Sequence, residues 1–400
     1  MKILAISNDR KLPRLEKQMT LRLCNRLSSQ SGCMKTTIRS VSILAAAMLA
    51  ATIGLAEEAS IAMPSVPLDT SMSVQRIAFG SCFKVERGGY QIWDEIRATE
   101  PDVLLLAGDN IYPESENEKP GLPELRAAYQ ELSTLESFKK VRRSVPVLST
   151  WDDHDYGMND GGADFVRRTD AEALFLEAWA VPEDDPRRQR EGIYHSVTMG
   201  EEGRRLQLIM LDTRYFRSEL RRTDKRGAKG KERYLPSVDQ SKTQLGDDQW
   251  QWLEAQLQEP ADLRLLVSSI QVIADGHGWE AWRMLPKERE RLYDLLKANA
   301  SAPTYVLSGD RHVAGFYEED IGLDAPLLEF TSSPLNNTIS FPWRRSTLGE
   351  AGPQRLGALY GESNFGTVDI DWELGRIMFS LRSREGEVIR EESRNWRSET

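Results

Sequence analysis

The stretch DVLLLAGDNIY, residues 102–112, runs an apolar strand directly into a glycine, a carboxylate and a phenol. Four more stretches contain an apolar run of strand length: IAFGSC (77–82), VPVLSTWDDHD (145–155), LRLLVSSIQ (263–271) and TYVLSGDRH (304–312). All but one of the five place Cys, Asp, Tyr or His where the apolar run stops. An α/β sheet presents ligands at the carboxyl ends of its strands in this way. These stretches therefore predict an α/β fold with one shared site at the strand ends.

The order of helical and strand patterns predicts the layers of this fold. Helical patterns cover residues 90–99, 122–141, 247–257 and 286–298, and further strand patterns cover 192–197, 206–211 and 366–390. In the first half, helices alternate with the strands at 103–107 and 145–149, which is typical of parallel βα units. In the second half, turn signals separate the strands and indicate antiparallel pairing. We therefore predict two mixed sheets packed face to face, with helices on the outside.

The beginning of the chain has the features of a targeting segment. Residues 34–56 have a basic start, an apolar run and a small-residue exit, a pattern that predicts a secretory signal peptide. The apolar run is shorter than the roughly 20 residues of a membrane-spanning helix, although an uncleaved anchor stays an alternative. Residues 1–33 have no pattern of their own, so we predict that they are an upstream extension before a true start at Met34. The mature protein is then periplasmic or extracellular, without stable membrane insertion.

Removal of residues 1–56 changes the charge and the cysteine content. The whole chain has a net charge of −10 and the removed segment is basic, so the mature protein is more acidic still. Nucleic acid is therefore not expected as a partner, other than as a substrate. Cys24 and Cys33 leave with the segment, and Cys82 becomes the only cysteine. A lone thiol in an oxidising compartment is either buried as a small apolar group or bound to a metal, and the strand-end position of Cys82 favours the metal.

The motif GDNIY places two candidate ligands after the strand at 103–107. Gly108 lets the backbone turn sharply, so that the Asp109 carboxylate can point into a shared site and bridge two cations. Tyr112 could reach the same centre as a phenolate, a ligand that prefers ferric iron. The alternative is a βα turn in which Asp109 caps a helix N-terminus.

The motif WDDHD, residues 151–155, is a run of ionisable side chains directly after an apolar strand. Such groups repel and desolvate one another unless a cation lies among them, and a solvated acidic loop is the alternative. Asp152 and Asp153 are candidate metal ligands. His154 is the candidate catalytic residue, which would stabilise the reacting phosphate or protonate the leaving oxygen.

The motif SGDRH repeats this chemistry at the end of another strand. Asp310 and His312 are two residues apart, so both project to one side of an extended chain while Arg311 projects to the other. The chain has only four histidines, which excludes an all-histidine zinc site. Oxygen ligands with one thiolate and one phenolate suit Fe³⁺ near Cys82 and Tyr112, and a hard cation such as Ca²⁺ elsewhere. A binuclear site of this kind most often hydrolyses phosphate esters.

The set GSC (80–82), GDNIY, WDDHD, LDTR (211–214) and SGDRH resembles the PhoD-like alkaline phosphatases, a branch of the calcineurin-like metallophosphoesterases. The resemblance implies a four-layer α/β/β/α fold over residues 72–395, hydrolysis of phosphate mono- or diesters, and Fe³⁺ with one or two Ca²⁺ ions, in place of which other divalent metals would also serve. By position, Cys82, Asp109 and Tyr112 resemble the iron ligands, with Asp109 bridging. His154 matches the family's catalytic histidine. The remaining matches to metal ligands are Asp153, Asp310 and His312, while Asp152 is a candidate ligand only from its position in the WDDHD motif.

The sequence departs from the wider superfamily in one motif and leaves substrate contacts open. Residues 268–271 supply no histidine, so a ligand there would be a backbone carbonyl, Gln271 or water. Asn110 and Arg214 are the candidate substrate-binding residues, although Arg214 and Asp212 could instead form a structural ion pair. The basic segment at 217–233 is either a solvated loop or a device that draws anionic substrates inward.

These patterns together predict an exported metal-dependent phosphatase or phosphodiesterase that acts on small-molecule or polymeric phosphate esters. We expect in-line attack by a hydroxide held between two cations roughly 3.5–4 Å apart, without a covalent enzyme intermediate. A non-catalytic binding protein that keeps the metals is the alternative. Hydrolysis of carboxylic esters would need a serine in a G-x-S-x-G turn, and the chain contains no such pentapeptide.

Overall fold

The computed structural model describes residues 60–113, 118–340 and 343–397. The chain divides into two units, Met1–Glu58 and Ala59–Thr400, and all the described residues belong to the second. The predicted upstream extension at 1–33 and signal peptide at 34–56 lie outside the described residues. Within the described part, none of the helices is both long enough and apolar enough to cross a bilayer.

The second unit consists of β-strands and α-helices joined by loops and short 3₁₀ turns. In chain order the strands are β1 (Arg76–Gly80), β2 (Val103–Ala107), β3 (Val147–Thr150), β4 (His195–Met199), β5 (Leu206–Met210), β6 (Leu263–Ser268), β7 (Thr304–Ser308), β8 (Ala314–Glu319), β9 (Leu327–Thr331), β10 (Arg355–Tyr360), β11 (Asn364–Asp371), β12 (Arg376–Ser383) and β13 (Val388–Asn395). The helices are α1 (Gln91–Ala98), α2 (Pro123–Thr134), α3 (Glu136–Arg142), α4 (Asp153–Tyr156), α5 (Arg168–Ala178), α6 (Gly246–Gln258), α7 (Pro286–Ala298) and α8 (Trp343–Leu348).

The strands form two mixed sheets, as predicted. The first sheet has the order β13-β12-β11-β1-β2-β3, with β1, β2 and β3 parallel and the other neighbours antiparallel. The second has the order β10-β8-β9-β7-β6-β5-β4, in which β5, β6, β7 and β9 are parallel neighbours. Parallel strands end at the same edge of a sheet, so the residues after β1, β2 and β3 lie side by side.

Side chains alternate between the two faces of each strand, and this alternation builds the four layers. Phe79 and Leu105 belong to an apolar cluster shared with Leu265 and Phe330 of the other sheet, so this cluster lies between the sheets. Their neighbours Ala78 and Leu104 belong to a cluster that includes the buried faces of α1, α2, α3 and α5. In the second sheet, Ile209 and Leu266 pack against α6 and α7. Successive strand residues point to opposite faces, and the result is the predicted α/β/β/α sandwich.

Three local features differ from the expectations. The helix predicted over 122–141 is two helices, because Leu135 is extended with ψ of 113° and starts α3 as its N-cap residue. This break lets Leu132 of α2 and Phe138 of α3 enter the same buried cluster. Helix α5 was not predicted, although Ala171, Phe175 and Ala178 are buried at helical spacing. Strands β8, β9 and β10 were also missed, because short apolar runs do not distinguish a strand from a helix.

Candidate metal centre

The candidate ligands lie in sharp turns at the carboxyl ends of β1, β2 and β7. Cys82, Asp109, Asp310 and His312 have positive φ angles of 59°, 52°, 63° and 53°. Residues with a Cβ atom rarely adopt this left-handed conformation, which costs on the order of 1–3 kcal/mol at each position. Four such residues lie at these strand ends. The fold therefore holds their side chains together against the preference of the backbone for a negative φ.

Gly108 allows the turns after β2 and β3 to touch. A Cβ atom at this position would lie 2.6 Å from Cβ of Asp152 and 2.8 Å from its backbone N. Backbone hydrogen bonds also join the turns after β1 and β2, from Cys82 N to Gly108 O (3.2 Å) and from Phe83 N to Asp109 O (2.9 Å). Glycine at position 108 is therefore what lets Asp109 and Asp152 approach each other.

One group of donor atoms combines a thiol, a phenol, an imidazole and a carboxylate. The Tyr112 hydroxyl donates to Asp109 Oδ2 over 2.8 Å and lies 3.2 Å from His312 Nε2. Cys82 Sγ lies 3.5 Å from the same Oδ2 atom. The donor atoms of Cys82, Asp109 and His312 are all within 4.8 Å of one another. The structure thus brings the three predicted iron ligands together and adds His312 to them.

A second set of donors around Asp109 consists of carboxylates and the imidazole of His154. Asp109 forms one compact group with Asp152 and Asp310 and another with Asp153 and His154, and the donor atoms in each group are within 4.8 Å of one another. Asp152 Oδ2 is buried and has no hydrogen-bond partner, which is costly unless a cation satisfies it. Asp109 belongs to all three groups, which is the position that a bridging carboxylate needs.

Burial and mutual repulsion oppose the ionisation of these donors. Burial raises the pKa of Asp109 and of Asp310 well above the usual range, and neighbouring carboxylates raise both further. Burial and the charge of Asp109 also raise the pKa of the Cys82 thiol and of the Tyr112 phenol. Burial is the main reason that the pKa of Asp152 rises to about 7. A bound cation has the opposite effect because it stabilises the anionic forms, so this donor set fits cations.

His154 lies beside this cluster with part of its ring open to solvent. Its side chain is 25% exposed, and Nε2 lies 3.9 Å from Asp153 Oδ1. The backbone N–H of His154 donates to Asp109 Oδ1 over 3.2 Å, and its ring lies 4.1 Å from the ring of Tyr112. The imidazole therefore borders the cluster where a substrate can reach it.

Comparison with known proteins identifies the family of the chain. A family model described as PhoD-like phosphatase matches residues 77–371. The chain belongs to the PhoD-like phosphatase family. It is 25% identical over 272 residues to alkaline phosphatase D of Bacillus subtilis (strain 168), a match that covers 59% of this chain and 46% of that protein. The chain therefore spans about half the length of this curated relative. A solved structure described as PhoD has the same fold, with a TM-score of 0.64, 19% identity, and coverage of 80% of this chain and 69% of that chain.

The alternative interpretations of the motifs GDNIY and WDDHD are both wrong. Asp109 does not cap a helix, because the described residues that follow it, 110–113, are not helical. Asp152 is the N-cap instead: its side chain accepts from the backbone of Asp155, whose side chain accepts from the backbone of Asp152. The WDDHD motif is also not a solvated loop, because Asp152, Asp153 and Asp155 are all buried.

Arg214 supports Asp152 from inside the protein. Both side chains are completely buried, and Arg214 Nε donates to Asp152 Oδ1 over 2.7 Å. A second contact of 2.7 Å joins Arg214 to the buried Glu280. The expected ion pair with the Asp212 carboxylate is wrong, since Asp212 Oδ1 accepts from Trp151 Nε1 and from backbone N–H groups. The guanidinium of Arg214 has no exposed atoms to offer a substrate.

Asn110, the other candidate substrate-binding residue, is also buried. Its Nδ2 donates to Thr150 O (2.9 Å) and to Asp155 Oδ1 (2.9 Å). Its backbone N–H donates to the Asp155 carboxylate over 3.0 Å. Asn110 thus joins the turn after β2 to the turn after β3 in the described structure.

The strand end without a histidine supplies a hydroxyl to the centre. Ser269 Oγ donates to Asp152 Oδ1 over 2.6 Å. Gln271 points elsewhere, with Nε2 donating to Thr331 Oγ1 (2.9 Å) and Oε1 lying 3.0 Å from His277 Nε2. Because His277 Nδ1 accepts from Trp279 N, both nitrogens of His277 are engaged. Sequence patterns missed Ser269, since serine in an apolar strand carries no metal signal.

Two carboxylates that sequence patterns did not single out extend the acidic cluster. Asp160 and the buried Glu280 form a compact group with Asp153, with donor atoms within 4.8 Å of one another. The backbone N–H of Asp160 donates to Asp153 Oδ2 over 2.8 Å. Burial would raise the pKa of Asp153, but the charges of His154 and Arg214 and this hydrogen bond lower it overall. Asp153 is therefore anionic at neutral pH.

The loop after β9 covers the thiol side of the centre and was also missed. Ser333 Oγ donates to Cys82 Sγ over 3.2 Å and accepts from His312 N over 2.8 Å. The backbone N–H of Asn337 donates to Cys82 O over 3.2 Å. The polar motif SSPLNN (332–337) directly follows a buried strand. This pattern is the signal that could have identified the loop as part of the site.

The basic segment at 217–233 is solvated in the middle and anchored at its ends. Arg217 is buried and lies 3.1 Å from Glu280, while Arg233 and Tyr234 both bind Asp160 Oδ2. The cations between these ends that are exposed to solvent are Arg221, Arg222, Lys225, Arg226 and Lys229. Most of the segment is therefore the solvated loop that was one of the two expectations.

Proposed function

We propose that this chain is a metal-dependent phosphatase or phosphodiesterase that hydrolyses phosphate esters by direct attack of water. The observation that carries the proposal is the convergence of three ligand groups on Asp109, beside the partly exposed imidazole of His154. Membership of the PhoD-like phosphatase family supports the same class of reaction. The substrates are small-molecule or polymeric phosphate esters.

The donor chemistry divides the ligands between two kinds of cation. Cys82, Tyr112, His312 and Asp109 would hold Fe³⁺, since thiolate and phenolate are in this set. Asp109 would be shared with a carboxylate-only set that suits Ca²⁺. The members of that second set are Asp152, Asp153 and Asp310. When bound, the cations neutralise charge on the phosphate and lower the pKa of water.

His154 is the residue that we assign to proton transfer. Its imidazole is partly exposed and is oriented by Asp153, 3.9 Å away, and by contact with the Tyr112 ring. General acids of this kind give up a proton to the leaving oxygen and contribute typically 10²–10⁴-fold to the rate.

The hydroxyl groups around the centre support direct attack by water over a covalent enzyme intermediate. Ser81 Oγ donates to Ser332 O (3.1 Å), Ser333 Oγ to Cys82 Sγ and Ser269 Oγ to Asp152. Each hydroxyl is thus engaged as a donor, and no histidine or lysine accepts its proton in these hydrogen bonds. A serine nucleophile needs such a base.

We also propose that the protein is exported. The support is the signal-peptide pattern of residues 34–56. N-terminal sequencing of the protein purified from its native cells tests this, and a mature end near residue 57 is expected.

The decisive test of the function is turnover after metal analysis. The purified chain should hydrolyse members of a panel of phosphate monoesters, diesters, nucleotides, sugar phosphates, teichoic-acid-like polymers and phospholipids. A chelator should abolish this activity, and Fe³⁺ with Ca²⁺ should restore it. Full metal loading with no turnover of any member would instead identify a binding protein on the same scaffold.

A further inference from the structure

Lys84 lies two residues after Cys82 and next to the candidate metal centre. Its Nζ atom is 5.6 Å from the centre of the Tyr112 ring. The hydroxyl of this same tyrosine donates to Asp109, and its ring is in contact with His154. The ammonium group and the candidate catalytic imidazole therefore border one aromatic ring.

The backbone of Lys84 is held from both sides by a single side chain. Lys84 N donates to Asn336 Oδ1 over 2.7 Å, and Asn336 Nδ2 donates to Lys84 O over 2.8 Å and to Gly88 O over 2.7 Å. Asn336 is buried and belongs to the loop that covers the Cys82 thiol. The Lys84 stem thus starts from a fixed point, unlike that of a lysine on a free surface loop.

The charge of Lys84 is unpaired within the described part of the protein. The guanidinium groups around the centre are each paired with a carboxylate: Arg214 and Arg217 with Glu280, Arg233 with Asp160, and Arg311 with Glu350. Among the residues that the structure describes, no carboxylate lies within ion-pair distance of Lys84. A half-buried, unpaired cation beside a phosphate site is available to an anionic ligand.

We propose that Lys84 determines specificity by binding the third unesterified oxygen of a substrate phosphate, the oxygen that carries the second ester group in a diester. A monoester phosphate has three unesterified oxygens and close to two negative charges, whereas a diester has two such oxygens and one charge. Lys84 therefore favours monoesters over diesters. This inference rests on the proposed phosphoesterase function and adds a substrate class to it.

Binding of two anions, measured by calorimetry on metal-loaded protein, tests the role of Lys84. In Lys84→Met, orthophosphate should bind about tenfold more weakly, equivalent to about 1.4 kcal/mol, while dimethyl phosphate should bind as in the wild type. Lys84→Arg should restore most of the orthophosphate affinity. Lys287→Met is the same change at an exposed lysine on α7 and should alter the affinity for neither anion. Metal content should be equal in all four proteins.

Turnover separates this inference from the proposed function. The ratio of kcat/KM for p-nitrophenyl phosphate to that for bis(p-nitrophenyl) phosphate should fall about tenfold in Lys84→Met. The fall should come from a higher KM for p-nitrophenyl phosphate, with kcat unchanged. Equal orthophosphate affinity in wild type and Lys84→Met, equal weakening for both anions, or no orthophosphate binding by the wild type would overturn the role of Lys84. Absence of turnover by the wild type, with the affinity difference present, would overturn only the enzymatic function.

Discussion

Arg214 and Asp152 form an ion pair in which both side chains have no exposed surface, with Nε 2.7 Å from Oδ1. The same Oδ1 atom also accepts from Ser269. The other oxygen, Oδ2, is left without a partner. Arg214 and Ser269 thus orient Asp152 so that one oxygen stays available to a cation, an arrangement typical of the residues that support metal ligands.

Loss of this buried pair should destabilise the protein strongly. Arg214→Met leaves Asp152 without its cation and Glu280 with only Arg217, and breaking a buried pair in this way costs about 3–5 kcal/mol in the free energy of unfolding. Arg384→Met removes an exposed pair with Glu385 and should cost about 0–1 kcal/mol. Urea denaturation of both variants under the same metal loading measures the difference. Similar costs for the two would contradict the supporting role of Arg214.

Cys82→Ser should change colour, iron content and activity together. If Cys82 and Tyr112 bind one ferric ion, charge transfer from thiolate and phenolate gives the wild type a visible absorption band. The variant should lose or shift this band and retain less iron, whereas replacement of a merely structural cysteine would leave the metals intact. Metal analysis and absorption spectra of both proteins, prepared side by side without added zinc, check this. Equal iron in both, or none in either, would end the ligand assignment.

His154→Ala should separate catalysis from metal binding. The variant should keep its metals and lose roughly 10²-fold or more in kcat, since the assigned role is proton transfer. His195→Gln, a histidine change in β4, should leave kcat unchanged. A metal-free His154→Ala protein would identify His154 as a ligand instead.

Hydrolysis should proceed with inversion at phosphorus. One in-line displacement by water inverts the configuration, while a covalent enzyme intermediate requires two displacements and gives retention. Single-turnover hydrolysis of a chiral phosphate ester in labelled water, with stereochemical analysis of the product, measures the outcome. Net retention is incompatible with the direct attack that we propose.

Glu172 on α5 should make stability fall as the pH rises. Burial, with the charge of Asp212, raises the pKa of Glu172 from 4.5 to about 8. Between these values the folded protein keeps a proton that the unfolded chain releases, so the free energy of unfolding decreases through this window. Glu172→Gln should therefore be more stable than the wild type at pH 9, by on the order of 1–3 kcal/mol, and nearly equal at pH 4. Denaturation curves at the two pH values check this, and equal differences at both would contradict it.

The strand ends and most candidate ligands could be predicted because their signals are local. An apolar run that ends in Gly108 and Asp109, or in Gly309 and Asp310, can be seen within ten residues of sequence. The breaks at residues 373–375 and 385–386 likewise separate β11, β12 and β13. Helix α3 was not separated from α2, and strands β8, β9 and β10 were missed, since short apolar runs do not show which element they form.

The amino-acid sequence by itself determined the two mixed sheets, the family, and the residues that converge on Asp109. Only the tertiary structure decided which groups support them: Arg214 binds Asp152 and not Asp212, Ser333 donates to Cys82 across 251 positions, and Lys84 lies against Tyr112. The physical reason is that strand patterns and ligand types are properties of adjacent residues. Hydrogen-bond partners and unpaired charges depend on distances between segments that meet only in the folded protein.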